Sequence, residues 1–427
     1  MIGAPVTIDR AAVRDRFVRM RARTRALFAL VDEGAYFDRP IPLRNPIVFY
    51  EGHLPAFAVN TLVKKGLGRP GIDGRLEEIF ARGIDPATEA AAVARGNPAW
   101  PSRETVQQYA VAADRLLTDV ISHADLERDD HPLLRRAQAL WAVLEHEDMH
   151  QETLAYMWHQ LPHASKRRPP QYVTAPPRLV SHGPAETRAR IPAGSVTMGT
   201  DLREAPFAWD NELPPHCVAV DAFTIDVHDV TNRQYLEFVE ASGAAPPPFW
   251  EREGGHWYQR GMFERVILPD DWPVYVTWAD ADAYARWRGG RLPTEAEFHR
   301  AAFGTPGGGE RQYPWGDSLS GRLPANVDFR RWDPEPVGAH PDGASAFGVH
   351  DLVGNGWEWT STPFGPFDGF EPLPSYPEYS MEFFDGDHYV LKGASPATPR
   401  TLLRRGFRNW FRPRYPYVYA TFRCVES

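Results

Sequence analysis

A pair of histidines in the first half of the chain is the first candidate for chemistry. The stretch LEHEDMHQETLAYM holds His146 and His150 four residues apart, with acidic and apolar residues around them. On an α-helix this spacing puts both imidazoles on one face, one turn apart, so that both can bind one metal ion. The His-Glu-x-x-His pattern of zinc peptidases has the same spacing, but the third ligand that those enzymes take shortly downstream has no counterpart here. The pair alone therefore leaves two readings open, a metal site and an ordinary amphipathic helix.

His53 is the third candidate ligand. It lies in VFYEGHLPAF, a helical segment of mostly apolar residues, where burial of an unpaired polar group costs free energy. One interpretation is a core histidine that is hydrogen-bonded to a backbone carbonyl. The other is a ligand that joins His146 and His150 in a three-histidine site with open coordination positions. Imidazole suits iron, copper and zinc alike, so the spacing does not select the metal.

Four segments of the first half have the apolar periodicity of surface helices and predict a four-helix bundle. They are RAAVRDRFVRMRARTRALFALV, NPIVFYEGHLPAFAVNTLVKKGLG, SRETVQQYAVAADRLLTDVISHA and PLLRRAQALWAVLEHEDMHQETLAYMWHQL. The connection ARGIDPATEAAAVARGNPAWPSR is long, and long loops in compact domains are often functional.

The composition and periodicity of the sequence change after residue 165. Residues 166–185 are basic, rich in proline and without periodicity, which is typical of a linker. Short strand-like and helix-like segments follow among glycine, proline and tryptophan turns. We therefore predict an α+β multidomain protein with a helical bundle over residues 1–165, a linker over 166–185 and an irregular α+β domain over 186–427.

The overall composition excludes several classes of function. The 427 residues carry a net charge of −9 that is spread along the chain, which argues against a nucleic-acid partner. No apolar leader and no window of about 18 apolar residues is present, so we expect a cytoplasmic protein without a membrane partner. Two cysteines are too few for a disulfide framework.

A set of ordered motifs in the second half resembles a known fold. IPAGSVTMGT, VTNRQYLEFV, RLPTEAEFHRAA, YPWGD and VHDLVGNGWEWT are followed by LKGAS, RRGFRN and FRC. In this order they resemble the formylglycine-generating-enzyme domain, a relative of the C-type lectin fold. Those enzymes bind copper through a pair of active-site cysteines, whereas Cys217 and Cys424 are far apart in this sequence. Their own activity is therefore a poor match.

A histidine-bearing bundle of the DinB-like type before such a domain resembles the ergothioneine sulfoxide synthase family. The resemblance covers nearly the whole chain. It implies a non-heme iron(II) enzyme that uses O2 to join the sulfur of a thiol to the imidazole of hercynine, leaving a sulfoxide. It also implies that the iron ligands are His53, His146 and His150.

The resemblance assigns roles to further residues. GFRNWF is similar to the hercynine-binding segment of the family, which places Asn409 and Trp410 at the substrate. SYPEYSMEFF is similar to the segment with two active-site tyrosines three residues apart. Tyr376 would then be the proton donor, and Tyr379 would pack on the trimethylammonium group of hercynine, which aromatic faces attract. Without the resemblance, core and turn packing is the preferred explanation of these aromatic residues.

Some positions depart from the branch of the family that uses γ-glutamylcysteine. That branch has glutamine before the last iron ligand, where this chain has Met149. Its acidic and basic contacts to the glutamyl group correspond to Phe411 and Tyr415 here. We therefore predict that the thiol is cysteine. Arg103, in WPSRE, is the candidate that would bind the donor carboxylate.

Other activities remain open at this stage. A selenoneine synthase or an ovothiol-type sulfoxide synthase has the same architecture and differs in the donor or in the ring carbon attacked. A non-catalytic metal- or ligand-binding module is an alternative of another class, and an unrelated zinc hydrolase is a third.

Overall fold

The computed structural model describes residues 8–81, 99–170, 172 and 188–426. The chain divides into two compact units, one of residues 1–170 with the short segment 373–376, and one of residues 171–372 and 377–427. Most of the predicted linker and residues 82–98 of the long connection lie outside the described residues. The predicted boundaries at 165 and 186 stay predictions.

Four long helices build the first unit. Its helices are α1 (Arg10–Ala29), α2 (Ile47–Ala58), α3 (Gly74–Ile79), α4 (Arg103–His123) and α5 (Gln138–Gln160). α2 continues directly as a π-helix over Val59–Gly66. Both α4 and α5 pack against α1 and α2, which confirms the predicted helical bundle. Among the described residues, no helix is long and apolar enough to cross a membrane.

Capping side chains set the starts of two long helices in this unit. The side chain of Asp9 caps α1 by accepting from the amide of Ala12, and Ser102 caps α4 by accepting from the amide of Thr105. The prediction that the last helix extends back through PLLRRA was wrong. Arg136 and Ala137 have φ angles of 55° and 54°, and such left-handed residues cannot continue a right-handed helix, so α5 begins after them.

The second unit contains several small sheets and short helices. Its strands are β1 (Arg188–Ile191), β2 (Gly194–Met198), β3 (His216–Val220), β4 (Phe223–Asp226), β5 (Trp250–Glu253), β6 (His256–Arg260), β7 (Arg265–Ile267), β8 (Gly290–Arg291), β9 (Gly356–Pro363), β10 (Tyr389–Ala394), β11 (Asn409–Phe411), β12 (Ala420–Thr421) and β13 (Val425–Glu426). Its helices are α6 (Asn232–Ser242), α7 (Trp278–Trp287), α8 (Glu295–Phe303) and α9 (Glu378–Met381). The strands form sheets in the orders β1-β4-β13-β8, β11-β10-β9-β12, β2-β3 and β5-β6-β7. This mixed architecture confirms the predicted α+β class.

Capping boxes start the three longer helices of this unit. Thr231, Thr277 and Thr294 stand at the N-caps, and each hydroxyl accepts from the amide three residues later. The side chain at that third position bonds back to the cap residue, so two otherwise unpaired amides are satisfied at each start. The motifs VTNRQ and LPTEAE are thus helix-starting signals.

A buried ion network joins two of the sequence motifs. Arg423 of FRC donates to both carboxylate oxygens of Glu358 in GWEWT, at 2.6 and 2.8 Å, and to Asp229 at 3.1 Å. All three side chains are completely buried. Burial raises the pKa of Glu358 and of Asp229, so these carboxylates depend on the guanidinium to stay charged.

Removal of that guanidinium is expected to destabilise the second unit strongly. Arg423→Met leaves two buried carboxylates without their cation, and the loss of one partner of a buried ion pair costs about 3–5 kcal/mol. Urea unfolding at pH 7.5 measures the change. Arg203→Met is the matched control because Arg203 pairs with Asp201 on the surface, and it should change stability little. Equal losses in the two variants would contradict the assigned role of the network.

Candidate metal centre

Three histidines converge inside the helical unit. His53 comes from α2, and His146 and His150 come from successive turns of α5. One ring nitrogen from each lies within 4.8 Å of the others. The ring centroids of His146 and His150 are 4.5 Å apart, and His53 lies 5.2 and 5.3 Å from them. Within the described residues this is the one cluster of potential metal ligands with such spacing.

The position of His53 depends on a close approach between α2 and the residue after α3. Gly52 has no side chain, and a Cβ atom there would lie 2.4 Å from the ring of Phe80. The ring of Phe80 therefore packs directly on the backbone of α2. The backbone carbonyl oxygen of Phe80 lies 2.8 Å from Nδ1 of His53. With Nδ1 as the donor, Nε2 keeps its lone pair and is free to bind a metal. A backbone hydrogen bond and a ligand role are thus compatible.

Burial keeps all three imidazoles neutral. Desolvation lowers the pKa of His53 to about 4, with the carbonyl of Phe80 opposing that shift. Desolvation, followed by the neighbouring imidazoles, lowers the pKa of His146 well below its ordinary value. Desolvation, His53 and Arg44 do the same to the pKa of His150. Neutral imidazole is the form that binds metal.

The donor set fits a divalent first-row transition metal. Three neutral nitrogen ligands leave further coordination positions for small molecules. In the part of the chain that the structure describes, the buried Nδ1 atoms of His146 and His150 have no hydrogen-bond partner. Buried polar atoms of this kind are costly, and ordinary core packing would avoid them.

Two acidic residues of the same stretch, Glu147 and Asp148, point to α1 instead of to the cluster. Glu147 accepts from Arg21 at 2.7 Å and from the hydroxyl of Thr24 at 2.5 Å. Asp148 accepts from Arg16 at 2.9 Å. These ion pairs join α5 to α1, while the two histidines of α5 are left for α2. Glu147 therefore differs in role from the glutamate of the zinc peptidase pattern.

Aromatic rings surround the histidines. Phe49 is stacked on His53 with centroids 4.9 Å apart, and Phe57 is stacked on His146 at 3.6 Å. Tyr376 belongs to the segment 373–376 of the same unit and lies edge-on to His146 at 6.2 Å. Sequence reasoning missed Phe57, although it lies four residues after His53 on the same helix face.

Two other candidates of the first unit have structural contacts. Met149 is half-buried on α5, and its carbonyl accepts from the hydroxyl of Thr153. Arg103 donates to the carbonyl of Phe28 at 3.1 Å, lies 3.8 Å from Glu51 and stands over the ring of Tyr36. A donor carboxylate at Arg103 would have to share the guanidinium with these groups.

An aromatic cluster in the second unit contains two of the predicted substrate residues. Tyr379 is stacked on Trp209 with centroids 4.0 Å apart and meets Trp410 edge-on at 5.3 Å. Trp410 is stacked on Phe364 at 4.2 Å. Such faces attract a quaternary ammonium group. Trp209 gives no local sequence signal, because its partner is 170 residues away.

The remaining candidates lie on or near β11. The side-chain oxygen of Asn409 accepts from the amide of Trp410 at 2.9 Å. Phe411 and Tyr415 are stacked on each other at 5.1 Å, with planes 13° apart.

Arginines near β11 are already paired. Arg404 forms a two-pronged pair with Glu212, and Arg408 donates to Glu295 at 3.0 Å. Their guanidinium groups are therefore less available to bind a substrate carboxylate.

Comparisons with known proteins cover both units. Residues 16–154 match the DinB superfamily, and residues 176–427 match the sulfatase-modifying factor enzyme 1-like domain. The hercynine oxygenase of Mycolicibacterium smegmatis is 32% identical, over 98% of this chain and 99% of that protein. The hercynine oxygenase of Mycolicibacterium thermoresistibile is also 32% identical, over 95% and 92%. Ergothioneine biosynthesis protein 1 of Neurospora crassa is 28% identical, over 91% of this chain and 55% of that protein.

Removal of one imidazole is expected to abolish tight metal binding. His53→Ala deletes a third of the donor set, so the dissociation constant for Fe(II) or Co(II) should rise by more than the roughly 10–100-fold that follows loss of an outer hydrogen-bond partner. Anaerobic titration of the apoprotein with Fe(II) or Co(II) measures this dissociation constant. His123→Ala is the control, because His123 is exposed on α4. Full occupancy in His53→Ala would remove His53 from the ligand set.

The lowered pKa values also predict an unusual pH response. A proton competes with the metal only near or below the pKa of each imidazole, and here those values lie at about 4 or are well below 6.5. Affinity for Co(II) should therefore stay nearly constant between pH 7 and pH 6. Three imidazoles with an ordinary pKa would lose roughly 30-fold over that interval. A loss of that size would show that the imidazoles are not held neutral.

Proposed function

The chain belongs to the family of the hercynine oxygenases, and on that premise we propose that it is a non-heme iron(II) sulfoxide synthase of ergothioneine biosynthesis. Enzymes of that biosynthesis act on small molecules. In the proposed reaction, O2 is used to couple the sulfur of a thiol to the imidazole of hercynine. The observation that carries the proposal is the cluster of three neutral imidazoles, two of them buried and one half-buried, in a chain that aligns with such an enzyme over 98% of its length.

The metal is proposed to be iron, held by His53, His146 and His150. Iron(II) held by these residues would supply the electrons that reduce O2 and a Lewis acid to which a thiolate can bind. The chain contributes three ligands of fixed position, which lowers the entropic cost of bringing reactants together. The imidazoles add no charge, so an anionic thiolate can balance the charge of the metal.

Tyr376 is proposed to hold and deliver a proton. Its position edge-on to His146 and 5.4 Å from the Phe57 ring supports this role, because the phenol is beside the triad in the same unit. A tyrosine hydroxyl is both donor and acceptor, so it can protonate reduced oxygen and hydrogen-bond to it.

Hercynine is proposed to bind through Tyr379, Asn409 and Trp410. Its trimethylammonium group cannot donate a hydrogen bond, and the aromatic cluster around Trp410 offers faces that attract such a cation. The amide of Asn409 supplies donors for a carboxylate.

Cysteine is proposed as the sulfur donor. Phe411 and Tyr415 carry no charge for a γ-glutamyl group, which favours a smaller thiol. Arg103 is the proposed carboxylate partner, and Met149 the neighbour of hercynine on α5. A selenosugar is the second candidate, since the stacked rings of Phe411 and Tyr415 form a platform of the kind on which sugar faces pack.

A direct assay tests the reaction and identifies the donor. The protein is reconstituted anaerobically with Fe(II) and then given hercynine and O2 with cysteine, γ-glutamylcysteine or a selenosugar. Mass spectrometry identifies the product, and an oxygen electrode follows uptake. A hercynyl-cysteine sulfoxide would support the proposal in full. A different donor would keep the enzyme class and change the substrate, and coupling at another ring carbon would indicate an ovothiol-type reaction. No oxygen uptake with any donor would favour a binding module.

Replacement of the proposed proton donor should separate binding from catalysis. Tyr376→Phe keeps the ring beside His146 but removes the hydroxyl, so metal and hercynine binding should persist while sulfoxide formation falls about 100-fold. Oxygen uptake should then yield oxidised thiol in place of coupled product. Tyr258→Phe, on β6, is the control. An unchanged product ratio would remove Tyr376 from the reaction.

The proposed donor contact gives a further prediction. Arg103→Gln should raise KM for cysteine and leave KM for hercynine unchanged, because only the donor carboxylate loses its charged partner. Steady-state kinetics with each substrate varied in turn measures this. A lower melting temperature with both KM values unchanged would assign Arg103 to packing with Phe28 and Glu51.

A further inference from the structure

His53 and His146 are held in different ways. His53 has a hydrogen bond of 2.8 Å from Nδ1 to the carbonyl of Phe80. His146 has no such bond within the described residues, although its Nδ1 atom is buried. Ligand histidines in proteins usually donate their second nitrogen to a neighbouring acceptor, which fixes the plane of the ring. The orientation of His146 therefore needs another cause.

The ring of Phe57 is stacked on His146. Its centroid lies 3.6 Å from that of His146, and the two planes are 11° apart, so the rings lie face to face. The last side-chain torsion of histidine is broad, and rotation about it would drive the imidazole edge into the stacked phenyl ring. Phe57 is 8% exposed and is packed in the bundle core, so it has little space in which to yield.

We propose that Phe57 is a positioning residue for the metal: its stacked ring fixes the plane of His146 in place of a hydrogen bond. The inference rests on the proposed function only in taking the cluster as a metal site. Phe57 also lies 5.4 Å from the ring of Tyr376, so the same side chain limits where the phenol can move. The spacing of His53 and Phe57, four residues apart on α2, brings a ligand and the support of a second ligand to one helix face.

The chain offers a closely matched pair of variants. Phe49 lies on the same helix, is 2% exposed and is stacked on His53, which keeps its hydrogen bond to Phe80. Phe57→Leu and Phe49→Leu therefore remove the same ring from the same helix. The first removes it beside an imidazole that lacks a hydrogen bond at Nδ1, and the second beside one that has it. Phe57→Tyr retains the stacked ring and is the conservative rescue. Phe57→Met, which fills much of the same volume, replaces Phe57→Leu if that variant does not fold.

Anaerobic titration of the full-length apoprotein with Co(II) gives the dissociation constant and the visible absorption bands of the bound ion. Thermal unfolding of each apoprotein records the packing cost separately. We expect Phe57→Leu to raise the dissociation constant about 10-fold and to shift the bands, as loss of an outer support of a ligand does. Phe49→Leu should change the constant less than about threefold, and Phe57→Tyr should restore wild-type values.

The outcomes separate the inference from the function proposed above. Equal affinity losses in the two leucine variants, or wild-type affinity in Phe57→Leu, would overturn the positioning role. Failure of Phe57→Tyr to restore affinity would also count against it. A wild-type protein that binds Co(II) and Fe(II) but does not act on hercynine would overturn the function and leave the comparison of variants valid. A wild-type protein that binds neither ion would overturn both.

Discussion

The cost of placing a charged imidazole away from water is the constraint on which the metal centre depends. Three imidazoles can share one small volume only when they are neutral, and burial among the helices enforces that state. α2 and the end of α3 can approach closely because Gly52 has no side chain between the backbone of α2 and the ring of Phe80. The same packing that holds the bundle together therefore also prepares the lone pairs that a metal requires.

One short stretch of α5 contacts two different helices through two kinds of side chain. Its carboxylates Glu147 and Asp148 face the arginines of α1, and its imidazoles face α2. Because successive residues of a helix differ by about 100° in direction, residues adjacent in sequence serve separate neighbours. A buried ion pair of this kind adds little net stability by itself, but it opposes rotation of α5 about its axis. Such rotation would carry the histidines out of register with His53.

Some features of the metal centre can be predicted from the sequence, and others depend on contacts between residues that are distant in sequence. The spacing of His146 and His150 predicts a shared helix face, and Ser102 predicts the start of α4. The carbonyl partner of His53 was one of two readings of its apolar surroundings. The stack of Phe57 on His146 joins two helices and has no local signature.

Two other features could not be predicted from the sequence. The predicted start of α5 was wrong because the residue types of Arg136 and Ala137 do not indicate a left-handed backbone. In the second unit, Trp209 and Tyr379 are too far apart in sequence for periodicity to connect them.

Residues 373–376 make the helical unit discontinuous in sequence. They lie deep in the second half of the sequence, yet they belong to the helical unit, and they bring Tyr376 beside His146. No single cut in the chain therefore separates the two units with all their residues. A bundle expressed alone, from a chain cut after residue 170, would therefore keep the three histidines and lose the tyrosine beside them.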